Sequence, residues 1–386
     1  MIKGTEKAPA IRFRGFTDDW EQRKLGDIFE EYSDKGHPNL SALTIIQGGG
    51  TIRRDDSDRN LQYDKKSLAS YKKVETGDFI VHLRSFEGGL EKATTSGIIS
   101  PAYHTLHGKS TDSRFYYCYF RSERFINHDL KPYVYGIRDG RSIDIKGMKT
   151  INIPWTKVEE QKAIGNYIDC LDNLITLHQR KLELQKKLKA FFLQNMFPEE
   201  GETVPRIRFK GFTGDWEQRK LSEVTDRYDN LRVPVTANLR IPGNTPYYGA
   251  NGIQDYVDGY THDGEFILVA EDGAKDLSNY PINYVNGRIW VNNHAHVLQG
   301  KNHIASNKFL AYAMRKIDIK SVLVGGGRAK LNAEAMMKLG LQLPSYSEQA
   351  KIGQYFSNLD NLITLHQRKV DQLQTVKKFM LQNLFI

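Results

Sequence analysis

Glu160-Gln161-Lys162 sets a carboxylate and an amine two residues apart, the Glu-x-Lys pattern of metal-dependent nucleases. A second stretch, Glu348-Gln349-Ala350, repeats the first two residues but lacks the amine, so a shared metal-dependent site is not expected. His294 with His296, and His104 with His107, are imidazole pairs that a metal could use. Neither has a third clustered ligand, and a histidine pair alone is more often structural. No Gly-x-x-x-x-Gly-Lys-Ser/Thr phosphate loop occurs. The cysteines, Cys118 and Cys170, form no metal-type pair and fit a reducing, cytoplasmic setting. Catalysis by this chain is therefore not expected, and neither a metal nor a cofactor is expected on it.

A different chemistry is better represented. The stretch from His82 to Gly89 offers Arg84 and Ser85 beside a glycine pair, and Arg138-Asp139-Gly140-Arg141-Ser142 offers two guanidiniums and a hydroxyl, with Lys146 nearby. Later in the chain, Asn292 and Asn293 supply amides, Arg328 and Lys330 follow three glycines, and Asn251 and Lys275 lie at turns. Arginine forks suit guanine O6 and N7 or a phosphate, and asparagine amides suit adenine N6 and N7. A glycine-rich basic loop is more often an ordinary surface turn, so the loops count as a set. The net charge of +9 over 386 residues favours a polyanionic partner, nucleic acid before membrane. No apolar run approaches the ~20 residues of a membrane span, and residues 1–10 lack the apolar stretch of a secretory signal.

The elements that must carry these loops are organised as a repeat. Residues 12–25 and 208–221 differ only at Arg14/Lys210 and Asp18/Gly214. Residues 171–181 and 359–369 both read LDNLITLHQRK, and the match runs back to Glu160-Gln161 and Ile164-Gly165 against Glu348-Gln349 and Ile352-Gly353. Between these fixed frames, residues 26–152 and 222–342 share little sequence. Constant frames around unlike inserts suggest common docking surfaces carrying two specificities.

The frames read as long helices. Ile164, Ile168, Leu171, Ile175, His178 and Leu182 follow a 4-3-4-3-4 spacing, as do Ile352, Phe356, Leu359, Ile363, His366 and Val370, continued by Leu373. That period predicts a coiled-coil seam. About 40 residues at a rise of 1.5 Å would give rods of roughly 60 Å. Each stripe needs a partner, and its own copy, lying antiparallel, is the simplest. His178 and His366 either fix register inside the seam or sit at its edge in solvent. The basic runs after each seam read first as solvated faces. Pro154 and Pro344 stand before the helices and Pro198 ends the first one. In the inserts, Asp78–Leu83 and Glu265–Ala270 read as strands; Arg114–Phe120 reads as a strand or the start of a helix.

Gly-Phe-Thr-x-Asp-Trp-Glu-Gln-Arg-Lys-Leu at 15–25 and 211–221, the Pro344-to-Glu348-Gln349 helix start (matched by Pro154 with two extra residues), and the closing Leu-Gln-Asn-Met-Phe and Leu-Gln-Asn-Leu-Phe resemble the specificity subunits of type I restriction–modification systems. The resemblance spans essentially the whole chain. It implies an α+β fold with an internal pseudo-two-fold repeat: two globular α/β target recognition domains separated by two long antiparallel helices forming a coiled coil. The expected division is 1–155 and 199–343 for the recognition domains, each with its frame motif, and 156–198 and 344–386 for the spacer helices.

The resemblance further implies that each domain reads one half of a split double-stranded DNA target while the helices set the gap. Two modification (methyltransferase) subunits and restriction (translocase and nuclease) subunits are the implied partners; S-adenosylmethionine, ATP and magnesium would belong to them. The frame around Trp20 and Trp216, with the helix ends, is a candidate docking face, although those tryptophans could equally plug the junction of domain and helix. The alternatives are a protein-binding coiled-coil scaffold and a stand-alone methyltransferase. For the latter, Asn152-Ile153-Pro154-Trp155 is similar to the Asn-Pro-Pro-aromatic motif of adenine methyltransferases, but Ile153 replaces the first proline and no glycine-rich cofactor motif accompanies it.

Overall fold

In the computed structural model, residues 8–57, 65–136, 141–325 and 329–385 are described. Arg138 and Arg328 lie outside them. The chain forms two compact units, one of Met1–His178 with Lys369–Ile386, the other of Gln179–Arg368. Both long helices, Val158–Asn195 and Tyr346–Asn383, are divided between the units.

In the first unit the apolar period of the helices is put to use. Ile164, Ile168, Leu171 and Ile175 enter one core with Leu373 and Leu384. The two helix segments run antiparallel here. Phe385 packs near Trp20, which bonds Glu160 at the start of one helix, while Lys377 reaches Asp172 at 2.5 Å further along it. A four-stranded antiparallel sheet, Phe29–Tyr32, His104–Gly108, Phe79–Val81 and Glu91–Lys92 in that spatial order, covers this core.

Arg114–Phe120 is helical, within Ser113–Phe120. Aromatic residues favour strands on average, but Asp112 caps the first turn through Arg114 N–H, and Phe115, Tyr116, Tyr119 and Phe120 then share one buried face. Two antiparallel pairs, the hairpin Leu43–Ile46 with Gly50–Arg53 and the sequence-distant Lys72–Val74 with Gly97–Ile99, lie outside the main sheet.

The second unit has a six-stranded sheet in the order Thr225–Arg227, Ala295–Gly300, His262–Ala270, Ile282–Val291, Pro242–Gly249, Gly252–Val257. All pairings are antiparallel except Pro242–Gly249 with Ile282–Val291. The run Phe266–Ala270 is apolar at every position because both its faces are covered. Ile267 and Val269 face the main core with Phe309 and Phe356, while Phe266 and Leu268 face a second core with Val285, Ile289 and Val297. The helix segments again run antiparallel, with Lys189 on Asp360 and Phe192 against Tyr355.

Despite unrelated sequences, the two inserts share a plan. In each, the strand after the frame motif pairs with the strand that precedes a short helix, and that strand pairs in turn with the central one. The second unit then extends its sheet by a hairpin; the first builds separate ribbons instead.

Candidate nucleic-acid interface and the latch beneath it

The repeated residues form a buried latch in each unit. Glu21–Lys24 pairs with Asn152–Trp155, and Glu217–Lys220 with Gly340–Leu343. Asn152-Ile153-Pro154-Trp155 is thus a strand of the frame. Thr156 carbonyl accepts Gln161 Nε2 at 2.7 Å, and Pro344 carbonyl accepts Gln349 Nε2 at 2.9 Å. Pro344 therefore corresponds to Thr156, not to Pro154, and the two copies align here without the inserted pair expected from the prolines.

The same glutamines reach the inserts. Gln161 Oε1 accepts the amide of Asp112 at 2.9 Å, and Gln349 Oε1 that of Ser306 at 3.0 Å. Asp112 and Ser306 are the N-cap residues of the two insert helices. Gly165 and Gly353 allow those helices to come close. A Cβ at Gly165 would stand 3.0 Å from Arg114 Cβ and Asp112 Oδ1, and at Gly353 2.8 Å from Lys308 Cβ and Phe309 N. The repeated Glu-Gln-x-x-Ile-Gly is thus explained residue by residue, with Ile164 and Ile352 in the cores. The copies differ at both x positions, Lys162-Ala163 against Ala350-Lys351, of which Lys162, Ala350 and Lys351 are exposed and Ala163 is half-buried.

Glu160 and Glu348 are buried and held by two-pronged bonds from Arg12 (2.6 and 2.8 Å) and Arg208 (2.7 and 2.7 Å). The hydrogen bond to the carboxylate raises each guanidinium's pKa further against the opposing effect of burial. Glu160 also accepts Trp20 Nε1 at 3.1 Å and the Thr156 hydroxyl. A carboxylate so engaged is 1% exposed and serves the latch rather than presenting itself to a nuclease metal. Trp20 and Trp216 are 4% and 3% exposed. They plug the junction of domain and helix and offer no docking surface.

Of the first-unit candidates, the loops at 82–86 and 141–145 come together. His82, Leu83, Arg141, Ser142, Ile143 and Ile145 line one cavity, and Arg141 lies over the Phe86 ring. Arg84, Arg141, Ser142 and Lys146 are exposed. Ser85 is not: it is fully buried, and its hydroxyl accepts the His82 amide at 2.9 Å. Its role is to shape the turn, which corrects its place among the base-reading residues.

In the second unit, Asn251 Oδ1 accepts the Lys275 amide at 2.9 Å while its Nδ2 donates to Gly273 carbonyl at 2.9 Å, so this side chain joins two loops. Lys275 and Asn293 are exposed. Asn292 is 4% exposed and accepts the His294 amide at 2.8 Å, so it too serves the turn rather than a ligand. Lys330 is tied to Glu271 at 2.9 Å, which raises its pKa.

The histidine pairs are absorbed by carboxylates. His104 meets Glu31 and His107 meets Asp78, both at 2.7 Å; His294 meets Asp272 at 2.5 Å and His296 meets Asp229 at 2.7 Å. Among the described residues no three metal-type side chains converge. Burial pushes the Asp229 carboxyl up, but bonds from His296 and the Val297 amide, with the charges of His296 and Arg232, bring it below the usual carboxylate range.

Of the predicted seam residues, Ile164, Ile168, Leu171, Ile175, Leu182, Ile352, Phe356, Leu359, Val370 and Leu373 are buried, whereas Ile363, His178 and His366 are half-buried. The heptad reading missed a second feature. Leu174, Leu177, Leu362 and Leu365 occupy equivalent positions of the identical stretch and are exposed. Their signal was two leucines off the seam in both copies. Among the described residues, no helix is long and apolar enough to cross a membrane.

These features meet in known proteins. The family profile described as type I restriction modification DNA specificity domain matches twice, over residues 17–186 and 213–375, once per repeat. A putative type I restriction enzyme specificity subunit of Haemophilus influenzae is 45% identical over 136 residues; this alignment covers 35% of each chain. The type I restriction enzyme MjaVIII specificity subunit of Methanocaldococcus jannaschii is 23% identical across 94% of this chain and 91% of its own length. The crystal structure of a type I restriction-modification S subunit from M. genitalium shares the fold, with a TM-score of 0.67, 16% identity and 98% and 99% coverage of the two chains. With both repeats matched along most of their length, the chain belongs to the type I restriction modification DNA specificity domain family.

Proposed function

We propose that this DNA sequence-specificity subunit reads a bipartite double-stranded target, one half with each insert, and that the helices set the unread gap. One observation carries this: equivalent latches hold two inserts of unlike sequence by the same glutamine-to-N-cap bond. On this reading the functional division is 1–155 and 199–343 for recognition and 156–198 and 344–386 for spacing. Arg84, Arg141, Ser142 and Lys146 of the first insert, and Lys275 and Asn293 of the second, are the base- or phosphate-facing residues. Two reading heads joined in one chain bind strongly only when both half-sites are correctly spaced.

The partners follow from the same symmetry. Leu174-Leu177 and Leu362-Leu365 give two equivalent exposed apolar faces, which suits two copies of one modification subunit. Restriction subunits join that complex, and S-adenosylmethionine, ATP and magnesium belong to these partners. The test is methylome sequencing of cells carrying this chain with its modification partner. A split adenine-containing motif is expected, and exchanging residues 222–342 should alter one half of it. An unsplit motif, or both halves changing together, would overturn the reading; no salt-sensitive DNA binding at all would favour a protein scaffold.

A further inference from the structure

Two histidines in unlike sequence contexts occupy the same place in the two inserts. His104 opens the strand His104–Gly108, and His294 immediately precedes Ala295–Gly300. Each of these strands pairs with the end of its central strand, His104 opposite Val81 and Ala295 opposite Ala270. The same two loops gather there. In the first insert His104 lines one cavity of about 70 Å³ with Leu83 and Arg141. In the second, the Glu271 amide donates to the His294 carbonyl at 2.9 Å, and the Leu331 amide to the Glu271 carbonyl at 2.7 Å. The loop after the central strand thus meets the loop before the last short helix, Ile145–Met148 or Ala333–Met337, beside a histidine in both inserts.

Each ring is held in the same way. His104 Nδ1 meets Glu31 at 2.7 Å, and His294 Nδ1 meets Asp272 at 2.5 Å. A carboxylate accepts, so Nδ1 carries a proton in both, which sets the ring's orientation and turns Nε2 away from the carboxylate. Nε2 of each ring is not buried and has no hydrogen-bond partner among the described residues; the side chains are 39% and 36% exposed. Their neighbours differ. His296 is 2% exposed and bonds the Leu331 carbonyl through Nε2, and His107 lies three residues further along its strand.

An oriented, accessible Nε2 suits a base edge. With a lone pair it accepts from adenine N6 or cytosine N4; with a second proton it donates to guanine O6 or N7. Cations for the flanking phosphates stand at the same places, Arg141 in the first cavity and Lys330, bonded to Glu271, in the second insert. Resting on the DNA-reading function above, we infer that His104 and His294 are specificity-determining residues, one per insert, each meeting one base edge of its half-site through Nε2.

The test uses the full chain with its modification partner. Asparagine keeps a donor for the carboxylate but ends short of Nε2, whereas glutamine carries an amide out to that place. His294→Asn should lower affinity for the cognate duplex about tenfold or more and relax methylation at one base position of one half-site; His104→Asn should do the same in the other half-site. His294→Gln and His104→Gln should retain part of that discrimination. Thermal unfolding of each variant separates these effects from loss of fold.

An unchanged motif and affinity in either asparagine variant would overturn the proposal, as would both variants altering the same half-site. So would a uniform loss over all sequences with a shallower salt dependence, the mark of a phosphate contact. If the unaltered protein itself yields no split motif, it is the DNA-reading function that fails, not the role of the two histidines.

Discussion

The two latches solve one problem with different hubs. In the first unit the carboxylate is the hub: Glu160 collects Arg12, Trp20 and Thr156. In the second the arginine is the hub: Arg208 holds Glu348 and also donates to the carbonyls of Gly214 at 2.7 Å and Thr213 at 3.3 Å. Two substitutions accompany the change. Pro344 replaces the hydroxyl of Thr156, and Gly214, at a φ of +84°, replaces Asp18, which pairs instead with Lys157 at 2.6 Å. The difference teaches that the buried ion pair and the glutamine are fixed by geometry, while the bonds that complete each hub can be redistributed.

The largest test removes a hub. Truncating one member of a buried, hydrogen-bonded ion pair costs about 3–5 kcal/mol because the other charge is stranded. Glu160→Ala should cost more than Glu348→Ala, and Arg208→Ala more than Arg12→Ala. Hydrogen exchange of the insert-helix amides reads each unit separately; equal costs in both units would break the comparison.

Next come the close approaches. Gly→Ala inside a helix ordinarily gains about 1 kcal/mol. Here the added methyl meets the insert helix, and overpacking of this kind costs about 1–3 kcal/mol. Gly353→Ala, which strikes backbone at 2.8 Å, should destabilise more than Gly165→Ala at 3.0 Å. A stabilised Gly353→Ala protein in denaturant unfolding would show that the helices are not pressed together there.

The smallest effect concerns the tryptophans. Trp20 Nε1 has Glu160, whereas Trp216 Nε1 is buried with no acceptor among the described residues. Trp→Phe at 216 should therefore cost about 1 kcal/mol less than at 20, as measured by the shift in thermal midpoint. The reverse order would mean that the second indole is satisfied by ordered water.

The sequence made the frames legible because a repeat reports which residues are constrained without saying how. It located the helices, the Glu-Gln pair and the seam. It misplaced Pro154, since matching two prolines by type outweighed a spacing that the glutamine bonds later fixed. It could not separate strand from helix over 114–120, where the deciding feature is Asp112 as a cap. The reading loops were the least legible part. Ser85 and Asn292 look like surface polar groups in sequence, yet each bonds a neighbouring amide inside a turn. Residue type alone does not distinguish a side chain that meets a ligand from one that closes its own backbone.

The glutamine-to-cap bond carries one more implication. Equivalent frame residues are offset by 196 positions from Trp20 to Trp216 but by 188 from Gln161 to Gln349, so the second insert is eight residues shorter, yet both sockets close with the same geometry. All that an incoming module must present to its socket is a capped helix start with room for a glycine beside it. Length and composition elsewhere are then free to drift, so the bases recognised can diversify without any adjustment of the rods that carry them.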